Sequence, residues 1–144
     1  MLVSDIMNVK GHEVKTIHSG DTALCLAKRL KSERVGALVV SDDGQSLDGI
    51  ISERDLAYGL AVHGANLHGI AVSELMTKAV ITCSAKETIV DVMQVMTQRR
   101  VRHLPVMDGN RLIGLISIGD VLKHRLGEMQ LEANVLRDYA IASR

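Results

Sequence analysis

The stretch GIISERDL, Gly49 to Leu56, returns as GLISIGDV, Gly114 to Val121. Each copy reads glycine, two apolar residues, serine, two variable residues, aspartate and an apolar residue that opens a helix-like run. A motif written twice marks a chain built from repeated units. The flanks repeat as well. VSDIM (Val3 to Met7) reappears as VSELM (Val72 to Met76), and DTALCLAKRLKSERVGALVV (Asp21 to Val40) aligns without a gap with ETIVDVMQVMTQRRVRHLPV (Glu87 to Val106). Ala23, Leu24, Leu26, Ala27 and Leu30 superpose on Ile89, Val90, Val92, Met93 and Met96, and each set falls on one helical stripe.

After each helix comes a short apolar strand, Gly36 to Val40 or His103 to Met107. A turn follows, SDDGQSLD or DGNRL, rich in turn formers. A second strand, Gly49 to Ser52 or Gly114 to Ser117, then leads into a second helix. Each unit therefore reads β-α-β-β-α, led in by its VSxxM segment. The predicted fold class is α+β, with the two units related by a pseudo-two-fold axis because each half has an apolar sheet face it cannot bury alone. AVHGANLHG (Ala61 to Gly69) joins the halves. The expected organisation is a first repeat with linker over 1–70, a second repeat over 71–126 and a C-terminal helical extension over 127–144.

Composition narrows the function. At 144 residues with 47% hydrophobic residues, the chain can bury a core without covalent support. Lys+Arg and Asp+Glu both number 17, so no basic excess points to nucleic acid and no acidic excess to a charged partner. There is no Trp or Phe, and the only aromatic residues are Tyr58 and Tyr139, too few for a base-stacking platform. Cys25 and Cys83 form no disulfide framework and read as buried thiols in a reducing compartment. MLVSDIMNVKGHEV lacks the basic start and apolar run of a signal peptide. No stretch approaches the roughly 18 apolar residues of a membrane span. A soluble cytoplasmic protein with no membrane partner is expected. His63 and His68 have no Cys or carboxylate nearby to complete a ligand set, so no metal is expected. Neither G-x-S-x-G nor G-x-x-x-x-G-K-[ST] is present, and no catalytic constellation emerges.

A serine three residues before an aspartate, ahead of an apolar run, is a capping-box-like pattern. Ser52 and Ser117 would cap the second helix of each unit, with Asp55 and Asp120 at a position favoured by the helix dipole. The same geometry suits a ligand. A helix start offers free N–H groups, and a carboxylate one turn in can accept hydrogen bonds from vicinal hydroxyls, as an acidic residue does for ribose in dinucleotide folds. The preceding glycine leaves the strand backbone open to close approach. Capping and binding are compatible, since a hydroxyl both donates and accepts.

These motifs, with RVRHLPV ahead of the second turn, make the chain from Val3 to about Leu126 resemble a pair of cystathionine-β-synthase (CBS) domains, a Bateman module of the stand-alone bacterial type. The resemblance implies an adenosine-ligand sensor without catalysis, binding AMP first, with ATP, ADP or NAD as alternatives, in clefts that draw on both repeats. It places Ser52 and Asp55 on a ribose, with Arg54 beside them, the backbone near Val80 on adenine, and Arg102 and His103 on phosphate. The other cleft would use Ser117 and Asp120, with Ile118, the backbone near Lys15, and Gly36 with Ala37. Arg102 and His103 stand where the first repeat has Gly36 and Ala37, so the phosphate is expected at the Asp55 cleft, with His103 able to add charge if protonated.

The C-terminal stretch carries Leu122, Leu126, Met129, Ala133, Leu136 and Ala140, spaced alternately by four and three. That is a heptad seam. It would either fold back on the module or cross a mate, and its length favours a homodimer. The expected role is regulatory, with ligand-biased conformation passed to an unidentified protein partner. A ligand-independent interaction scaffold with the same fold is the alternative.

Overall fold

The structure, a computed structural model, describes residues 1–142; Ser143 and Arg144, the end of the expected extension, lie outside the described residues. The chain runs α1 (Val3–Lys10), β1 (Thr16–Ile17), α2 (Ala23–Glu33), β2 (Ala37–Val40), β3 (Gly49–Ser52), α3 (Glu53–His63), a 3₁₀ turn (Gly64–Gly69), α4 (Val72–Leu75), α5 (Ile89–Arg99), β4 (His103–Asp108), β5 (Arg111–Ser117) and α6 (Ile118–Ala142). The α+β fold of two related β-α-β-β-α units is present.

The repeated helices begin and end by the same local devices. Thr22 Oγ1 accepts from Cys25 N at the start of α2, and Thr88 Oγ1 accepts from Asp91 N at the start of α5. Each replaces a bond that the first helical N–H groups otherwise lack. Arg34 and Arg100 end these helices in the left-handed region, at φ 55° and 54°. Their N–H groups donate to Leu30 O and Met96 O.

In the first repeat β1 pairs parallel with β2, and β2 pairs antiparallel with β3, with Ala37 opposite Ser52. In the second, β4 pairs antiparallel with β5, with His103 opposite Ser117 and a register shift between Val106 and Met107. The strand equivalent to β1 shrinks there to a single parallel bridge, Cys83 to Val106. Cys83 is buried, and burial, helped by the Glu87 charge, pushes its thiol up to about 12. Cys25 is only half-buried, against the expectation of two buried thiols, because it sits on the flank of the α2 stripe.

Chain order and packing order differ at the VSxxM segments. Val3, Ile6 and Met7 are buried in one core cluster with Ile89, Val92, Met96, Leu104, Val106 and Ile116 of the second repeat. Val72 is buried in the other cluster with Ile17, Leu26, Leu38, Val40 and Ile51 of the first. The backbone follows suit. Val3 N donates to Glu87 O and Ile89 N to Met1 O, while Val72 N donates to Asp21 O and Ala23 N to Ile70 O. Each lead-in thus caps the other repeat's core, a reciprocity that fits the pseudo-two-fold relation. The turn between β2 and β3 adds a further tie, Leu112 N to Gln45 O at 2.8 Å.

The helix α6 carries the expected seam along 25 residues, about 37 Å at the α-helical rise. Leu122, Leu126, Met129 and Leu136 are 45–69% exposed, so the seam does not fold back on its own module. Among the described residues no helix is long and apolar enough to cross a membrane.

Candidate functional site

Strand β3 delivers Ser52 to the start of α3, where the Asp55 carboxylate turns back. Asp55 Oδ2 accepts from Ser52 N at 2.8 Å and from Ser52 Oγ at 3.2 Å. The capping reading is therefore realised, and it uses only one carboxylate oxygen. Among the described residues no cation pairs with Asp55, and its Oδ1 accepts no hydrogen bond from the protein.

Asp55 faces a cleft of about 360 Å³ between the repeats. Ser52, Arg54, Val80, Arg102 and His103 line it together with Asp55, so six residues singled out from the sequence meet at one place. Gly36 and Ala37, expected beside Asp120, line this cleft as well. The antiparallel register puts Ala37 directly across from Ser52, and Glu53 N donates to Gly36 O at 3.0 Å. Glu53, Thr77, Ala79 and Arg100 add to the polar and small-residue wall and escaped the sequence reading. Arg100 matches Arg34 in the repeat alignment, so nothing in the comparison of the copies sets it apart. Its left-handed backbone at the end of α5 is what turns the chain into the cleft.

Arg54, Arg100 and Arg102 are exposed, and among the described residues none of the three guanidinium groups pairs with a carboxylate. Three uncommitted cations beside two carboxylates that are unpaired among the described residues, Asp55 and Glu53, form a site that can hold a diol at one end and an anion at the other. His103 differs in kind. Burial first, then the Lys10 and Arg102 charges, hold its pKa below the ordinary 6.5 and outweigh Asp120 and Glu53. It stands in the cleft as a neutral hydrogen-bonding ring at neutral pH, not as the added cation the sequence allowed.

The second motif is occupied differently. Asp120 Oδ2 accepts from Ser117 N at 2.8 Å, and Asp120 N donates to Ser117 Oγ at 3.2 Å. Lys10 Nζ lies 2.6 Å from the same Oδ2 and donates to Leu115 O at 2.8 Å. Burial pushes the Asp120 carboxyl up, but the Lys10 and Ser117 hydrogen bonds outweigh it and hold the group below its usual range. Ser117, Ile118 and Asp120 lie outside the wall of the Asp55 cleft, and so does Lys15, whose ammonium pairs with Glu33 at 2.9 Å.

The family model for the CBS domain matches the chain twice, over residues 3–61 and 72–127. The chain belongs to the CBS-domain family. It is 39% identical to a CBS-domain containing protein from Agrobacterium tumefaciens, whose crystal structure it matches with a TM-score of 0.83 over 87% of this chain and 99% of that one. It is 34% identical to a mitochondrial CBS domain-containing protein of Arabidopsis thaliana, over 95% of this chain and 70% of the relative. A longer relative from the same plant is matched over only 22% of its length. The CBS domain pair of protein MJ0100, solved in complex with 5′-methylthioadenosine and S-adenosyl-L-methionine, is 29% identical with a TM-score of 0.77 and covers 89% of this chain and 98% of that one. The solved relatives share the two-repeat fold of this chain.

Proposed function

We propose that this CBS pair is a regulatory, non-catalytic module of the cytoplasm that binds an adenosine nucleotide in the Asp55 cleft, AMP first, with ATP, ADP or NAD as alternatives. The observation that carries this reading is the open Asp55 carboxylate beside three unpaired guanidinium groups in one inter-repeat cleft. Asp55 with Ser52 accepts from the ribose diol, the backbone near Val80 meets adenine, and Arg54, Arg100 and Arg102 meet phosphate. The adenosine derivatives bound by the CBS pair of MJ0100 support the ligand class. The functional unit is the whole pair, since Asp55 and Arg102 come from different repeats and each lead-in segment packs on the other repeat's core.

A ligand that bridges the repeats biases their relative orientation by its differential affinity for the two arrangements. That bias reaches a protein partner through a homodimer formed along the exposed α6 seam. Calorimetry with AMP on the native chain and on Asp55→Ala tests the reading. Loss of hydrogen bonds to a charged acceptor is worth about 1.5–3 kcal/mol each, so affinity should drop at least tenfold. Undiminished AMP affinity in Asp55→Ala returns Asp55 to its capping role alone, whereas no AMP binding by the native chain leaves the fold as a ligand-independent scaffold.

A further inference from the structure

The two serine–aspartate motifs are alike in sequence and unlike in occupancy. The difference lies in the lead-in segments that the repeats exchange. Lys10 is the third residue after Met7, and Ala79 is the third after Met76. The two are equivalents under the repeat. Because the segments are exchanged, Lys10 arrives at the motif of the second repeat and Ala79 at the cleft of the first.

Lys10 is fixed there by its own helix. Met7 of α1 presses on Gly114 of β5, and Lys10, one turn further on, reaches the next carbonyl, Leu115 O. As the last residue of α1 its ammonium also sits at the favourable end of the helix dipole. It ends 2.6 Å from Asp120 Oδ2, which already accepts from Ser117 N; both aspartates use Oδ2 alone, so the motifs differ in the ammonium that lies against Asp120 and has no counterpart at Asp55 among the described residues. On the Asp55 side, helix α4 is a single turn, and Ala79 contributes only a methyl group to the wall.

We infer that Lys10 is an internal plug that occupies the Asp120 motif and limits each chain to one nucleotide, held at the Asp55 cleft. The inference rests on the nucleotide reading of that cleft. A ribose hydroxyl entering at Asp120 has to displace an ion pair with the Lys10 ammonium, and brings a hydrogen bond to the carboxylate but no positive charge of its own. It would also strand the ammonium beside the Leu115 carbonyl. The asymmetry between the clefts therefore comes from one side chain more than from the motifs themselves.

Equilibrium dialysis with AMP, together with native mass spectrometry for stoichiometry, tests this on five chains: native, Lys10→Met, Lys10→Arg, Asp55→Ala, which should hold none, and Lys10→Met/Asp120→Ala. Methionine keeps the aliphatic stem, and Asp120 keeps its Ser117 bonds, so the helix start stays capped. The native chain should hold one AMP, Lys10→Met two, and Lys10→Met/Asp120→Ala one again. Lys10→Arg, which keeps the charge, should hold one. Two AMP on the native chain, or one on both the native chain and Lys10→Met, overturns the plug while leaving the Asp55 reading intact. One AMP on Lys10→Met and none on the native chain keeps the plug and overturns the Asp55 reading. No AMP on either overturns both.

Discussion

Met7 of α1 lies against the backbone of Gly114 in β5, so closely that a side chain at Gly114 would fall on the methionine's terminal methyl and within 2.6 Å of its sulfur. The pseudo-symmetric contact pairs Met76 with Gly49, where an added carbon would stand 2.7 Å from the sulfur and 2.9 Å from Thr77 O. The glycine that opens each GxxSxxD motif is thus the seat for the methionine that ends the other repeat's VSxxM segment. The close approach that the sequence assigns to a ligand is made by the protein's own core.

Gly114→Ala should therefore overpack the second core and cost about 1–3 kcal/mol. Met7→Ala empties the same space and costs about 2–5 kcal/mol, the range for buried large-to-small changes. The double variant should be more stable than the sum of the two costs predicts, with a coupling of at least about 0.5 kcal/mol. Urea denaturation of the four chains measures it. Strict additivity would mean that the two residues do not share the space.

Arg102 should separate AMP from adenosine. Adenosine lacks the phosphate and cannot use a guanidinium, so AMP should bind the native chain more tightly, and Arg102→Ala should remove most of that gap. The salt dependence of AMP binding should weaken in the same variant, since exposed charge pairs are screened. Competition between the two ligands at two salt concentrations reads both effects. Equal binding of AMP and adenosine to the native chain would take the phosphate away from this group.

His103 should shape stability on the acid side. Its folded pKa lies below its ordinary value of 6.5, so between the two the unfolded chain binds the proton and the folded chain does not. Stability is then full above pH 6.5, falls as the pH drops below it, and levels off below the folded pKa. His103→Gln should flatten that part of the profile. Denaturant midpoints at steps below pH 6.5 compare the two chains, and parallel profiles would assign the acid loss to other groups.

The α6 seam should set the assembly state. Met129→Asp and Leu136→Asp place charges where a mate's apolar residues are expected, and burying them unpaired is costly. Light scattering should show a dimer for the native chain and a shift toward monomer for the variants, with the two repeats still folded by circular dichroism. An unchanged mass in the variants would place the dimer contact elsewhere or remove it.

Much of this protein is legible in its sequence because the informative signals are local. Periodicity placed α2, α5 and the strands, and the turn formers placed β3 and β5. The serine–aspartate spacing marked the starts of α3 and α6, because a capping box is written within four residues. The repeat itself identified the pair of units, and the substitution of Arg102 and His103 for Gly36 and Ala37 pointed to the Asp55 cleft.

What only the tertiary structure decided lies between residues far apart in the chain. The repeats exchange their lead-in helices, and no local pattern records which core an apolar segment will cover. That exchange carries Lys10 to Asp120, a contact spanning 110 positions, and leaves Ala79 at the open cleft. It also brings Met7 to Gly114 and sets the half-buried His103 among charges of both signs. Arg100 enters the cleft through a left-handed turn shared with Arg34, and the sequence treats the two as equals. Helices, turns and caps follow from neighbours a few residues away, whereas the occupancy of each carboxylate follows from which distant side chain the packed cores deliver to it.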